Sequence, residues 1–169
     1  GSAMHQKEIF KLKNKYNYSI IEDACHALGG RYVESNLIVG SCAYSDITTF
    51  SLHPVKTITS GEGGIITTNN KKIAQNILEL RSHGIHKKKD YTYQITKNSL
   101  NFRLSDLNLA LAYSQLMKVK LFVDKRKSLA ERYYTNFKQI SNYLEVINFN
   151  NKNNSAWHLL IIKIDKEKL

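Results

Sequence analysis

Three short runs rich in β-branched and apolar residues constrain the fold more than any other feature: Ser19-Ile20-Ile21-Glu22-Asp23, Ile47-Thr48-Thr49-Phe50-Ser51-Leu52 and Ile65-Ile66-Thr67-Thr68. Each has the length of a strand rather than a helix, and the third follows the turn Gly61-Glu62-Gly63-Gly64. The first reads as a short buried strand that ends on two acidic residues. Open α/β sheets gather their ligands at the carboxyl ends of strands, so this end is the first place to look for a site.

Helical periodicity fills the rest of the chain. Asn69 or Asn70 is placed to cap a helix starting near Lys71, with Ile73, Ala74, Ile77 and Leu78 on one face and His83-Gly84 at its end. Ser105 is placed to cap a second, from Asp106 to about Met117. That helix is apolar on more than one side through Leu107, Leu109, Ala110, Leu111, Ala112 and Leu116, which predicts burial at a subunit interface. Phe122, Leu129, Tyr133, Phe137, Ile140 and Leu144 predict a longer helix over 121–147, and this stripe reads as core rather than as a binding groove. The asparagine-rich stretch Asn148–Asn154 reads as a loop, and Trp157–Ile164 as one further strand. The fold class is α/β.

With 169 residues, 42% of them hydrophobic, and a single proline, the chain suits a globular domain with one core. Its formal charge of +11 raises the question of a nucleic-acid partner. The lysines are spread along the whole chain, the densest run, Lys87-Lys88-Lys89, falls in a predicted loop, and no nucleic-acid-binding module pattern accompanies them, so none is expected. Cys25 and Cys42 give neither a disulfide framework nor metal-ligand spacing and fit a reducing cytoplasm. No apolar stretch is long enough to span a bilayer. Gly1-Ser2-Ala3 reads as an expression scar before Met4.

The run that carries chemistry is Phe50-Ser51-Leu52-His53-Pro54-Val55-Lys56-Thr57-Ile58-Thr59-Ser60-Gly61-Glu62-Gly63-Gly64. It follows a strand with a hydroxyl, a rigid turn at Pro54, one lysine between apolar neighbours, and then glycines. Partial desolvation favours a neutral amine, the form that attacks aldehydes. Local pattern alone leaves Lys56 either a reactive amine or a solvated surface charge.

This run, with Ile21-Glu22-Asp23-Ala24-Cys25-His26-Ala27-Leu28-Gly29 and Asn101-Phe102-Arg103-Leu104-Ser105-Asp106, resembles the sugar aminotransferase family named after DegT, DnrJ, EryC and StrS, from about Lys7 to Ile164. The resemblance implies the fold of aspartate aminotransferase: part of the large domain of a fold type I pyridoxal phosphate enzyme, three-layered α/β/α with a mostly parallel sheet. It further implies that 5–120 belong to this cofactor-binding domain, 121–147 to a linking helix, and 148–169 to the start of a small domain. Family members are more than twice as long, so the chain corresponds to the middle of such a protein, as a fragment or a truncated gene product. Ser51, His53, Lys56 and the glycine tail are most similar to members that aminate carbon 4 of a UDP-linked 4-keto-6-deoxy-hexosamine; Leu52 and Thr57 depart from them, where phenylalanine and proline are usual.

Carried over residue by residue, the resemblance implies Lys56 as the Schiff-base anchor of pyridoxal 5'-phosphate and as the proton carrier once displaced. Asp23 would pair with the ring nitrogen, Ser51 would donate to the phosphate, and His26 would lie close to the ring. Asn101 would reach the phosphate of a partner subunit, making a homodimer part of the site. Read without the resemblance, Asp23 is a strand-end turn former, Ser51 an ordinary strand serine, and His26 a structural histidine. His53, Glu62, His83 and Arg103 fall in the matching motifs without an assignable role. The implied substrates are a nucleotide-linked keto-sugar and a glutamate donor. Relatives that deoxygenate sugars replace the lysine by histidine, so Lys56 argues against that chemistry. A different class of function is an inactive truncated paralogue that keeps the dimerising helices and acts as an interaction protein.

Overall fold

The computed structural model describes residues 6–87, 92–147, 149 and 154–167. Residues 1–4, read from the sequence as an expression scar, Lys88 and Lys89 of the lysine run, and most of the asparagine-rich stretch lie outside these.

The three predicted strands form one sheet in the order β1 (Ile21–Asp23), β2 (Ile47–Ser51), β3 (Gly64–Thr67). β1 runs parallel to β2, with Asp23 opposite Thr49, and β3 returns antiparallel, with Gly64 opposite Ser51. Asp23 and Ser51 thus both fall at the carboxyl ends of neighbouring strands. Phe50 on β2 packs with Ala24, Tyr32 and Val39 in the core, flanked by Leu28, Tyr44 and Ile65. Ile21 is 66% exposed, so β1 is not the buried strand expected: the described residues leave its outward face open.

Helix α1 (Gln6–Tyr16) had no strong signal, since Ile9, Phe10 and Leu12 lie in a polar run. It docks through Phe10, whose ring meets Tyr44 edge-on at 6.1 Å, and through Lys13, which pairs with Asp46. That hydrogen bond from Lys13 is the largest cause holding the Asp46 carboxyl below the usual range. Helix α2 (Lys71–Arg81) begins where expected, because the Asn70 side chain accepts from Lys72 N (2.9 Å) and Ile73 N (3.2 Å) and so satisfies two amides the first turn leaves open. A hairpin of β4 (Ile85–Lys87) and β5 (Tyr93–Ile95) follows, unforeseen in the sequence.

Ser105 caps helix α3 (Asp106–Leu116), its hydroxyl accepting from Asn108 N at 3.2 Å. No α3 residue is buried within this chain, and Leu107 is 83% exposed, so the described residues leave the apolar side chains of the helix uncovered. Helix α4 (Val119–Phe137) ends well short of residue 147 and passes through a 3-10 turn, Lys138–Ile140, into β6 (Leu144–Val146), which pairs antiparallel with β7 (Ile162–Ile164). Leu144 continues the helical spacing, but Leu144 and Val146 alternate with Glu145 and find a strand partner, and that pairing decides the local structure. The expected core stripe is also offset. Leu129 and Tyr133 are exposed, while Phe122, Val123, Ala130 and Tyr134 face the rest of the molecule. Trp157 is buried with φ +49°, which no strand residue adopts, so the last strand is confined to β7 rather than starting at Trp157. The ring of Tyr134 stacks at 3.7 Å on Phe149, which leans on Trp157. Among the described residues no helix is long and apolar enough to cross a membrane.

Candidate active site

Asp23 stands where β1 gives way to a tight turn. Ala24 N–H donates to Thr49 O (2.9 Å), closing the last rung of the parallel pair, and Cys25 N–H donates to the Asp23 carboxylate (3.0 Å). Hydrogen bonds from Cys25 are the main reason the Asp23 carboxyl lies below the usual range, with His26 and Lys56 adding favourable charge; burial of the Cys25 thiol against that carboxylate pushes the thiol up. Ala27 N to Ala24 O and Gly30 N to Ala27 O (both 2.8 Å) continue the turn. Gly29 at φ +85° lets it lie on α4, since a Cβ there would come within 2.8 Å of Val123 Cγ2. His26 is thereby presented beside Asp23.

Lys56 rides on a loop closed upon itself. Leu52 N–H donates to Gly63 O (2.8 Å), Ser60 N–H and the Thr59 hydroxyl both donate to Leu52 O (3.1 and 2.9 Å), and Asn108 on α3 donates to Ser60 O (2.7 Å). Gly63, at φ +133°, closes the loop where a Cβ would meet the Leu104 side chain at 2.5 Å. Leu52, Thr57 and Ile58 are buried beneath, so the two positions that depart from the motif are packing positions. Of the two apolar neighbours expected to shield the lysine, Ile58 is buried and Val55 is 62% exposed; Lys56 itself is half-buried. His53 and Glu62 pair across the loop at 3.8 Å, both exposed.

The fold brings Asp23, His26, Ser51 and Lys56 to one place. The charge of Lys56 acts on Asp23, Cys25, His26 and His158, and the Ser51 backbone meets the Cys25 thiol. The Ser51 hydroxyl accepts from His53 N (3.3 Å). Burial first, then the Lys56 charge, keeps His26 below the ordinary histidine range. Asn101 stands apart: it bridges Ser82, its side chain accepts from Arg103 N (3.2 Å), and it is exposed. His83, at φ +61°, and Arg103 are also exposed. Sequence reasoning missed His158, whose ring lies 4.3 Å from that of His26; no local pattern marks it, because the two meet only through the fold.

A primary amine, a carboxylate kept ionised, a hydroxyl and imidazole rings at one sheet edge, with Asp23 and His26 exposed, suit a carbonyl-bearing anionic cofactor with a basic ring nitrogen. The amine condenses with an aldehyde, the carboxylate pairs with a protonated ring nitrogen, and the hydroxyl donates to an anion. The DegT/DnrJ/EryC1/StrS aminotransferase family matches residues 1–169. The chain belongs to this family. Among its members, a UDP-4-amino-4,6-dideoxy-N-acetyl-beta-L-altrosamine transaminase of Campylobacter jejuni is 38% identical over 167 residues, which are 99% of this chain and 43% of that protein. Helicobacter pylori PseC, an aminotransferase involved in the biosynthesis of pseudoaminic acid, superposes with a TM-score of 0.86 at 30% identity, over 98% of this chain and 43% of its own. E. coli GDP-4-keto-6-deoxy-D-mannose-3-dehydratase with bound hydrated PLP gives the same TM-score, 0.86, at 25% identity, over 99% of this chain and 45% of its own. The fold is that of these family structures, and the chain spans less than half the length of the relatives it matches.

Proposed function

We propose that Lys56 is the covalent anchor for pyridoxal 5'-phosphate in an aminotransferase that moves an amino group from glutamate to a nucleotide-linked 4-keto-6-deoxy sugar, in the cytoplasm, for surface polysaccharide or nonulosonic acid biosynthesis. The observation that carries this reading is the convergence of Lys56 and Ser51 with Asp23 and His26, residues from two separate segments that meet at one sheet edge. The cofactor, when bound, supplies an aldehyde for amines and a ring that absorbs the negative charge left on a deprotonated carbon.

This chain's residues supply the rest. Lys56 Nζ, on its closed loop, is held within electrostatic reach of Asp23, and once free it is placed to carry a proton to and from the substrate carbon. Asp23, held ionised by Cys25, keeps a facing ring nitrogen protonated and takes no proton itself. The Ser51 hydroxyl donates to the phosphate, and the His26 ring lies close to the cofactor ring. Asn101, exposed on its bridge to Ser82, is read as a donor to the phosphate of a partner subunit in a homodimer. A lysine at position 56 favours amination over sugar deoxygenation.

A second reading, a catalytically inactive dimerising protein, is favoured by one observation: α3 leaves Leu107, Leu109, Leu111 and Leu116 uncovered. The two are separated by titrating the chain with pyridoxal 5'-phosphate and then supplying glutamate and a UDP-linked 4-keto-6-deoxy-hexosamine. Visible absorbance of a lysine-bound cofactor, absent in Lys56→Ala, is expected, with little or no turnover by the chain alone. Equal absorbance in Lys56→Ala overturns the cofactor reading, and robust turnover overturns the expectation of a weak fragment.

A further inference from the structure

The segment Ser155–His158 reaches the site from the far end of the chain and is held there from two sides. Arg126 on α4 donates through Nη1 to the carbonyls of Trp157 (3.3 Å) and His158 (3.4 Å), while Arg31 N–H donates to Asn154 O (2.8 Å) just ahead of it. Ala156 is fully buried, and Trp157 N–H donates to Ser155 Oγ (3.0 Å). So fixed, His158 lays its ring against His26 with centroids 4.3 Å apart and planes inclined by 42°. Its Nδ1 is buried with no hydrogen-bond partner among the described residues, and the ring is placed by packing and by the clamp on its backbone.

Two protonated imidazoles could not share this spot with the Lys56 ammonium. The groups facing His158 are His26, Lys56 and Arg126, all basic, and those facing His26 are Lys56 and Asp23. Burial above all, then these neighbours, brings His158 down to about 4; desolvation and the Lys56 charge lower His26 against the opposing charge of Asp23, so both rings are neutral and able to stack at pH 7.

We propose that His158 is a positioning residue of the Lys56 site: its ring holds the His26 imidazole beside Asp23 and Lys56, so that the site is complete only when the 155–158 segment is clamped on α4. This rests on the reading of that cluster as a cofactor site. His158 touches no reacting atom in this account and acts through His26.

The test follows the imidazole C–H resonances of the 169-residue chain against pH, in wild type, His158→Ala and His158→Phe, with circular dichroism confirming each fold. In His158→Ala the His26 midpoint rises toward 6.5, because the ring that shields one side of the imidazole from water is gone; in His158→Phe, which keeps a ring, it stays near the wild-type value. Loss of one ring pair also weakens pyridoxal 5'-phosphate binding by about two- to tenfold in His158→Ala and leaves it near wild type in His158→Phe. An unmoved His26 midpoint in His158→Ala, an equal shift in both variants, or unchanged cofactor affinity in His158→Ala overturns the proposal. Should His158→Ala unfold, the wild type decides: nuclear Overhauser effects between the two rings are expected, and their absence overturns it. If the wild type binds no cofactor, the proposed function fails, and the ring pair is judged on the titration alone, which uses no cofactor.

Discussion

Glu22 and Asp23 are neighbours in β1 that face opposite ways. Asp23 turns to the site; Glu22 turns inward, where its carboxylate accepts from the hydroxyls of Tyr32 (2.7 Å), Thr48 (3.0 Å) and Ser45 (3.5 Å) and from Gln6 (3.3 Å). The anchored Glu22 fixes the strand end and with it the aim of Asp23. Burial, and then the bond to Glu22, pushes the Tyr32 phenol far above its ordinary range, so it remains a donor across all working pH. Tyr32→Phe removes the shortest of these bonds from a fully buried ring and is expected to cost roughly 1–2 kcal/mol, read as a lower urea midpoint at unchanged slope. An unmoved midpoint would mean that Thr48 and Ser45 satisfy the carboxylate alone. At this scale the sequence was informative where a residue acts through its own strand or turn. Asp23, Ser51 and Lys56 are read from local pattern and motif resemblance; His158 is not, because its partner lies in another segment and its signal is purely spatial.

Among the elements, the hairpin β4–β5 depends on one carboxylate. Glu79, near the end of α2, accepts from Lys97 (2.8 Å), His86 on β4 (3.0 Å) and Gln75 (3.1 Å), and these bonds hold it down to about 2 against an ordinary 4.5. A depressed carboxyl contributes stability that is full above its unfolded value and is lost as pH falls toward the folded one. Amide protection in Ile85–Lys87 and Tyr93–Ile95 is therefore expected to fall between about pH 4.5 and 2, and Glu79→Gln to remove that dependence by weakening the hairpin already at neutral pH. A wild-type pH profile matching that of Glu79→Gln contradicts this. Elements with local start signals were legible: Asn70 and Ser105 cap α2 and α3 as their side chains dictate. The hairpin and the end of α4 were not, because Ile85–Lys87 and Leu144–Val146 are too short to show a period and become strands only by finding Tyr93–Ile95 and Ile162–Ile164.

As a whole, the molecule exposes 11975 Å², where a compact monomer of its mass, 19.4 kDa, exposes about 8,500 Å². The excess includes α3, with Leu107, Tyr113 and Met117 just beyond it largely in solvent, and the outer face of β1. Patches of this kind mark surfaces meant to be covered, and the relatives carry more than twice the chain with which to cover them. The isolated chain is expected to bind a hydrophobic dye and to sediment above 19.4 kDa at micromolar concentration; a dye-silent, strictly monomeric species contradicts the open surface. Asp23 and His26 share this openness, which is why anchoring of the cofactor is expected here and efficient turnover is not. Anchoring is tested most directly by incubating the chain with pyridoxal 5'-phosphate, reducing with borohydride and mapping the modified peptide by mass spectrometry. The account predicts a pyridoxyl group concentrated on Lys56 and diminished in Asp23→Ala; a label spread evenly over the chain's lysines, indifferent to Asp23, would contradict it.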